Sequence, residues 1–354
     1  MTYLTPNSKA QLAKTIRSLR DRLLTELHNA VESTYQMGVT KSRATLDEER
    51  RRKRERLEDW IDLQVKADST SKGKDKQELR DRHRRDLEKL AAATWLNRLV
   101  VIKHMEAMDL LKPKVLTGGW QSQAYREFRD YAPELLQDET EGFGVLLRLL
   151  FDELAIDLEG LFGRGGAIAL IPMPAIALRY LVETLETLEP DVWRDDTTLG
   201  WIYQYWNDPE REDIDKKMND GGKVEPHEIA SKTQMFTERY MVEWLLQNSL
   251  NNQWLEICTR NNWTAEAIAD GTLARLEERR QDWRRRRELG EVALDALMSI
   301  EAGQEERWKY WVASSPQPPS PRTGEGGVRE ESAIPALAPL SPTGLPCTHK
   351  SRIR

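Results

Sequence analysis

Residues 8–34 read SKAQLAKTIRSLRDRLLTELHNAVEST, and their periodicity decides the fold class. Leu12, Ile16, Leu19, Leu23 and Leu27 recur at steps of three and four with polar residues between them, which lines them up on one stripe of an α-helix. The charged stretch that follows, RATLDEERRRKRERLEDWIDLQVKA, keeps only Leu57, Trp60, Ile61 and Val65 on a common face. DSTSKGKDK at 68–76 has the composition of a loop. A third helix is predicted from Gln77 to about Leu111, with Leu87, Leu90, Ala91, Trp95 and Leu99 on one side. Charged helices with such narrow apolar seams pair as helical hairpins or short coiled coils. The spacing therefore predicts a mainly α chain: a basic, coiled-coil-like arm over 1–112 and a helical domain over 113–312. Beyond Val312 the chain turns rich in Pro, Ser and Gly and loses its apolar period, so 313–354 reads as a disordered, low-complexity tail.

Within 113–312, GVLLRLLFDELAIDLEGLF from Gly144 is apolar almost all round and reads as a buried helix. GRGGAIALIPMP follows. Its glycines lack the Gly-Lys-Ser/Thr ending of a phosphate-binding loop and the spacing of a dinucleotide fold, so it reads as a structural turn. MPAIALRYLVETLETLEP is a helix that Pro190 stops. LGWIYQYWNDP gathers Trp201, Tyr203, Tyr205 and Trp206, a density that can stack nucleobases but is more often core. In TQMFTERYMVEWLLQNS, starting at Thr233, the Thr237 hydroxyl can cap a helix and Glu238 suits its positive end. Met241, Trp244 and Leu245 then give the apolar stripe of a packed helix. GTLARLEERRQDWRRRRELG, from Gly271, has Leu273, Leu276 and Trp283 as its seam, with Arg279, Arg280 and Arg284 to Arg287 on the other faces. A helix that grips a DNA backbone has this composition, and so has a solvated one.

The 354 residues suffice for two or more domains. The longest apolar run, Ala167 to Leu178, is broken by Pro172 and Pro174 and is too short to span a bilayer, and the N-terminus has no apolar signal core. Cys258 and Cys347 cannot build a disulfide framework or a cysteine zinc site, so a cytoplasmic setting is expected. The histidines, at 28, 83, 104, 227 and 349, show no ligand spacing, and no metal is expected. Residues 1–105 hold 24 Lys and Arg against 16 Asp and Glu, so the net charge of −6 conceals a basic first third and an acidic remainder. Both a nucleic-acid arm and a solvated charged helix fit that asymmetry.

Four strings in this order, LLRLLFDELAIDLEGLFG, LGWIYQYWN, TQMFTERYMVEWLLQNSL and LEERRQDWRRRRELGEVALDALMSIEAGQEERWKYWV, resemble the N-terminal region of the BREX-type adenine-specific DNA methyltransferases, the PglX family. The similarity covers roughly residues 5–312. It implies kinship with S-adenosylmethionine-dependent enzymes of a phage-defence system that methylate the exocyclic amine of adenine in double-stranded DNA, on a flipped-out base. It implies other phage-defence proteins as further partners, and the short apolar run adds that no membrane is expected as one. It matches Phe236, Thr237 and Glu238 to a Phe-Thr-Pro segment that lines the family's cofactor pocket, with Glu238 in place of proline. The helix after them would offer free N–H groups to the cofactor carboxylate, while Glu238 would repel it. For DNA, the composition of the helix from Gly271, read as a backbone-contacting rather than a solvated one, points to Arg280, Arg284, Arg285 and Arg287. The family's Asp-Pro-Ala-Cys-Gly-Ser-Gly cofactor loop and catalytic Asn-Pro-Pro-Tyr occur nowhere in the chain. The expectation is thus an N-terminal fragment without the α/β methyltransferase core and with no catalytic residues, inactive alone. The alternative is a non-enzymatic helical protein that binds DNA or a partner.

Overall fold

In the computed structural model, residues 4–68, 76–225, 228–233, 235–293, 298–300 and 303–312 are described. The expected tail over 313–354 lies outside the described residues, as do most of the expected loop at 68–76 and His227. The described chain is mainly α, with no strand among the described residues. It divides into two compact units, Met1–Val242 and Glu243–Arg354.

The first unit is built around α1 (Pro6–Tyr35). Thr5 accepts the Ser8 N–H at 3.1 Å and Pro6 opens the first turn, so the helix starts with a capped end and a residue that needs no N–H partner. Leu12, Ile16, Leu19, Leu23 and Leu27, the stripe read from the sequence, are fully buried. They pack against α2 (Glu48–Ala67), α3 (Lys76–Ala107), α7 (Ala175–Glu186) and α8 (Thr198–Asn219). The far end of α1 is closed by a buried cation: Arg54 of α2 donates to the carbonyls of Tyr35 and Gln36, both at 3.1 Å, and of Val39 at 2.7 Å. The Tyr35 carbonyl is one of those that a helix end leaves without an intrahelical partner. Glu58 balances the charge at 2.8 Å. The Tyr35 hydroxyl donates to the Leu170 carbonyl at 2.6 Å and ties α1 to the 3-10 turn at Ala167–Leu170.

Glu106, fully buried near the end of α3, plays the opposite part. Its carboxylate accepts the N–H groups of Val115, Leu116 and Thr117 at 2.7–2.8 Å and the Thr117 hydroxyl at 2.6 Å. A buried carboxylate is tolerable only with such a full set of donors. The chain then passes through α4 (Gln123–Tyr131), α5 (Phe143–Leu154) and α6 (Glu159–Phe162). Phe143 is fully buried, stacked on Trp120 at 4.1 Å and inclined to Tyr125 at 5.7 Å.

Two expectations are corrected here. The apolar run from Gly144 is not one buried helix: it breaks after Leu154, and only the face of Phe143, Leu147, Leu150 and Phe151 turns inward. Leu149 stays exposed within α5, and Ile156 lies exposed in the turn before α6. Nor does Tyr203 join the other aromatics of α8. Trp201, Tyr205 and Trp206 are buried on adjacent helical positions, while Tyr203 points off that face and is exposed.

α9 (Ile229–Thr233) precedes α10 (Arg239–Asn248), within which the division between the units falls. The second unit continues with α11 (Leu250–Arg260), α12 (Glu266–Ala269), α13 (Thr272–Glu288) and α14 (Gln304–Arg307). Its core is small: Ala267, Leu273, Leu276 and Trp308, with Leu255 and Trp311 packed against them. Much of the rest is held by amides. Gln247 accepts the Tyr310 N–H at 2.7 Å, Asn248 bonds the Tyr310 carbonyl and the Val312 N–H at 2.8 and 2.9 Å, and Asn252 accepts the Trp311 indole N–H at 2.8 Å. This strap corrects the reading of α10 as an apolar-faced packed helix. Met241, Trp244 and Leu245 are exposed, and Gln247 is the residue α10 buries.

Candidate nucleic-acid interface

The arginines of α13 divide into two sets along the helix. In the first half, Arg279 holds both carboxylate oxygens of Glu305 at 2.7–2.8 Å and the Ser299 carbonyl at 2.7 Å. Arg280 is nearly buried: it donates to the carbonyls of Lys309, at 3.1 Å, and Trp311, and pairs with Glu277 at 3.2 Å. Its guanidinium is therefore turned to the segment that ends the described chain. In the last turns the side chains leave the core. Arg284 is exposed and has no carboxylate partner among the described residues. Arg285 is exposed and pairs with Asp282 at 2.5 Å, Arg286 pairs with Glu291 at 3.5 Å, and Arg287 lies over the Trp283 ring at 5.2 Å.

Two physical accounts of this run hold together. Cations in a final helical turn meet the negative end of the helix, which favours Arg285 to Arg287 with no ligand. The same side chains form an exposed basic tip, and exposed ion pairs such as Arg285–Asp282 hold it weakly enough to be exchanged for phosphates.

The segment matched to the cofactor pocket has different surroundings. Phe236 packs edge-on against Trp201 at 5.3 Å, and a Cβ placed on Gly200 would fall 2.0 Å from its ring, so only glycine at 200 admits it. Thr237 is exposed. Glu238 pairs at 3.5 Å with Lys9, whose ammonium also sits 4.2 Å from the centre of the Trp201 ring. The helix starts one residue after Glu238, and the Glu238 carbonyl accepts the first bonds, from Met241 and Val242. By themselves these residues do not fit a cofactor bearing a carboxylate. The aromatic ring is engaged in the core, and the side chain nearest the free N–H groups is itself an anion.

Among the described residues no group of three or more His, Cys, Asp and Glu could hold a metal ion, and no helix is long and apolar enough to cross a membrane. One feature carried no signal in the sequence. The glycine-rich stretch at 163–165 forms a rim of an open cleft of about 760 Å³ that also takes in Trp95, Arg98, Arg148 and Phe151. These residues come from three separate stretches, and only packing brings them together.

No family model matches the chain, and no solved structure matches it. Two curated proteins do. An adenine-specific methyltransferase BrxX of Escherichia coli O9:H4 (strain HS) is 26% identical over 188 residues, which is 47% of this chain and 15% of that protein. An adenine-specific methyltransferase PglX of Lacticaseibacillus casei (strain Zhang) is 26% identical over 207 residues, 49% of this chain and 16% of that protein. The match thus spans about a sixth of the length of these relatives. On that similarity the chain is related to the BREX-type adenine-specific methyltransferases.

Proposed function

We propose that this chain is a helical, DNA-facing segment of a site-specific adenine-N6 DNA methyltransferase of a phage-defence system, and that it transfers no methyl group by itself. The observation that carries the reading is the similarity to two adenine-specific methyltransferases over about half of the chain. The absence of an Asp-Pro-Ala-Cys-Gly-Ser-Gly loop and of Asn-Pro-Pro-Tyr supports the second part. Without the first the backbone has no glycine-lined approach to the cofactor, and without the second the target amine is not oriented. S-adenosylmethionine enters as the methyl donor of the whole enzyme. In that enzyme the start of α10, with Phe236, Thr237 and Glu238, would form part of one wall of its pocket, completed by residues of the methyltransferase core. Double-stranded DNA is the substrate, the cytoplasm the setting, and other proteins of the defence system the further partners.

The exposed arginine tip of α13 favours a second reading in the same assay, a non-enzymatic protein that binds DNA through Arg284, Arg285 and Arg287. Purified chain incubated with DNA and radiolabelled S-adenosylmethionine is expected to show no methyl transfer. Turnover above a heat-killed control overturns the proposal. Duplex binding is expected to weaken steeply as salt rises. Replacing Arg284 and Arg285 by alanine should flatten that dependence by about 0.9 in log–log slope for each phosphate that is no longer neutralised. Binding indifferent to salt rules out the basic tip as a DNA-binding surface.

A further inference from the structure

The cleft beside α3 combines three features. First, beside Glu159 and the Asp152-paired Arg164, it holds two cations without acid partners. Arg98 of α3 is half-buried, held by the carbonyls of Leu161 at 2.7 Å and Gly163 at 2.8 Å, and laid over the Phe151 ring at 5.1 Å. It has no carboxylate partner among the described residues, and burial alone pushes its pKa below the usual arginine value. Arg148, exposed on α5, also has no carboxylate partner among the described residues. Second, Trp95 lines the cleft half-buried, an aromatic surface beside those charges.

The third feature is the rim. Gly160 and Gly165 both line the cleft, and a Cβ on either would meet nothing within 4 Å. Neither has a positive φ. Neither crowding nor backbone conformation therefore calls for glycine at these positions. Their missing side chains leave bare backbone open to the cleft, an arrangement that admits a ligand oxygen close to the main chain.

We propose that this cleft binds a nucleotide, with the base against Trp95 and the phosphate between Arg148 and the glycine rim. A flat apolar surface accepts any base by stacking. A free guanidinium is the side chain best matched to a phosphate. The volume of about 760 Å³ lies within the roughly 300–1,000 Å³ of small-ligand clefts. The same chemistry is offered by a free mononucleotide and by one nucleotide of a DNA strand.

The test uses the full chain and two probes, adenosine 5′-monophosphate and a short fluorescein-labelled thymidine strand. The variants are Arg148→Glu and Gly165→Val. The valine enters empty space and the arginine is exposed, so both proteins should melt as the parent does. Each should weaken nucleotide binding about tenfold or more, as removal of one good charge-assisted hydrogen bond does. Displacement of the strand by the mononucleotide identifies a site that free nucleotide fills. Strand binding that the mononucleotide does not displace, yet that both variants weaken, identifies a nucleotide within a strand. The proposal is overturned if neither probe binds, or if strand binding is abolished in Arg284→Ala and kept in both cleft variants.

Discussion

The two units solve the same problem, how charged helices hold together, in different ways. In Met1–Val242 the apolar stripes meet: the leucines of α1 lie under α2, α3, α7 and α8, and two of the buried charges, Arg54 and Glu106, have full sets of partners. Among the described residues of Glu243–Arg354, the apolar side chains of α10 and α11 largely face outward. Trp244, Leu245, Leu250, Trp254 and Trp263 are each at least half exposed, while Gln247, Asn248 and Asn252 hold the end of the described chain by hydrogen bonds. The difference teaches that an apolar period announces a helix face without saying what covers it. Burial of that face stabilises the first unit, whereas geometry-dependent polar bonds of about 1 kcal/mol each hold much of the second.

The largest effect should come from the first unit. Phe143→Ala removes a fully buried ring stacked on Trp120 and leaves a cavity between α5 and its neighbours. The expected cost is about 3–5 kcal/mol, read as a fall in denaturant midpoint and as faster amide exchange along α5. A cost under about 1 kcal/mol would mean that this core is loosely packed, and the contrast between the units would collapse.

A smaller loss is expected where polar bonds do the holding. Arg280→Ala leaves the carbonyls of Lys309 and Trp311 without their donor and Glu277 without its cation. The expected cost is about 1–3 kcal/mol, with faster amide exchange at 308–312 and no change along α5. A change confined to DNA affinity, with stability untouched, would instead place Arg280 with the exposed arginines.

These contrasts also show what the sequence could disclose. The stripe Leu12, Ile16, Leu19, Leu23 and Leu27 is legible because every member goes to one buried face. The stripe of Met241, Trp244 and Leu245 has the same spacing and the opposite fate, because the neighbouring amides Gln247 and Asn248 find partners more than sixty residues away. Periodicity is a property of one helix, and burial a property of pairs. Arg279 and Arg280 are indistinguishable in sequence from Arg284 and Arg285. Only the carbonyls and the carboxylate facing the first pair make them structural. The cleft was illegible for the same reason: Trp95, Arg148 and Gly165 carry no shared motif and meet only through the packing of α3 with the segment around α6.

The smallest expected effect is the one that bears most directly on the contrast. Trp254 is half exposed, and its one aromatic neighbour among the described residues is Trp263, also exposed, at a ring distance of 6.4 Å and an inclination of 46°. Truncating it to alanine deletes surface that water already reaches and puts the strongest helix former at an open position of α11, so the two contributions oppose each other. The net change in stability should stay within about 0.5 kcal/mol, the range of surface substitutions. A loss approaching that of Phe143→Ala would show that in solution this face is covered. A melting temperature that then rises with protein concentration would identify a second copy of the chain as the cover, because association stabilises by mass action. If Trp254→Ala is neutral at every concentration, the face is open, and the second unit is held without burying the stripe its sequence displays.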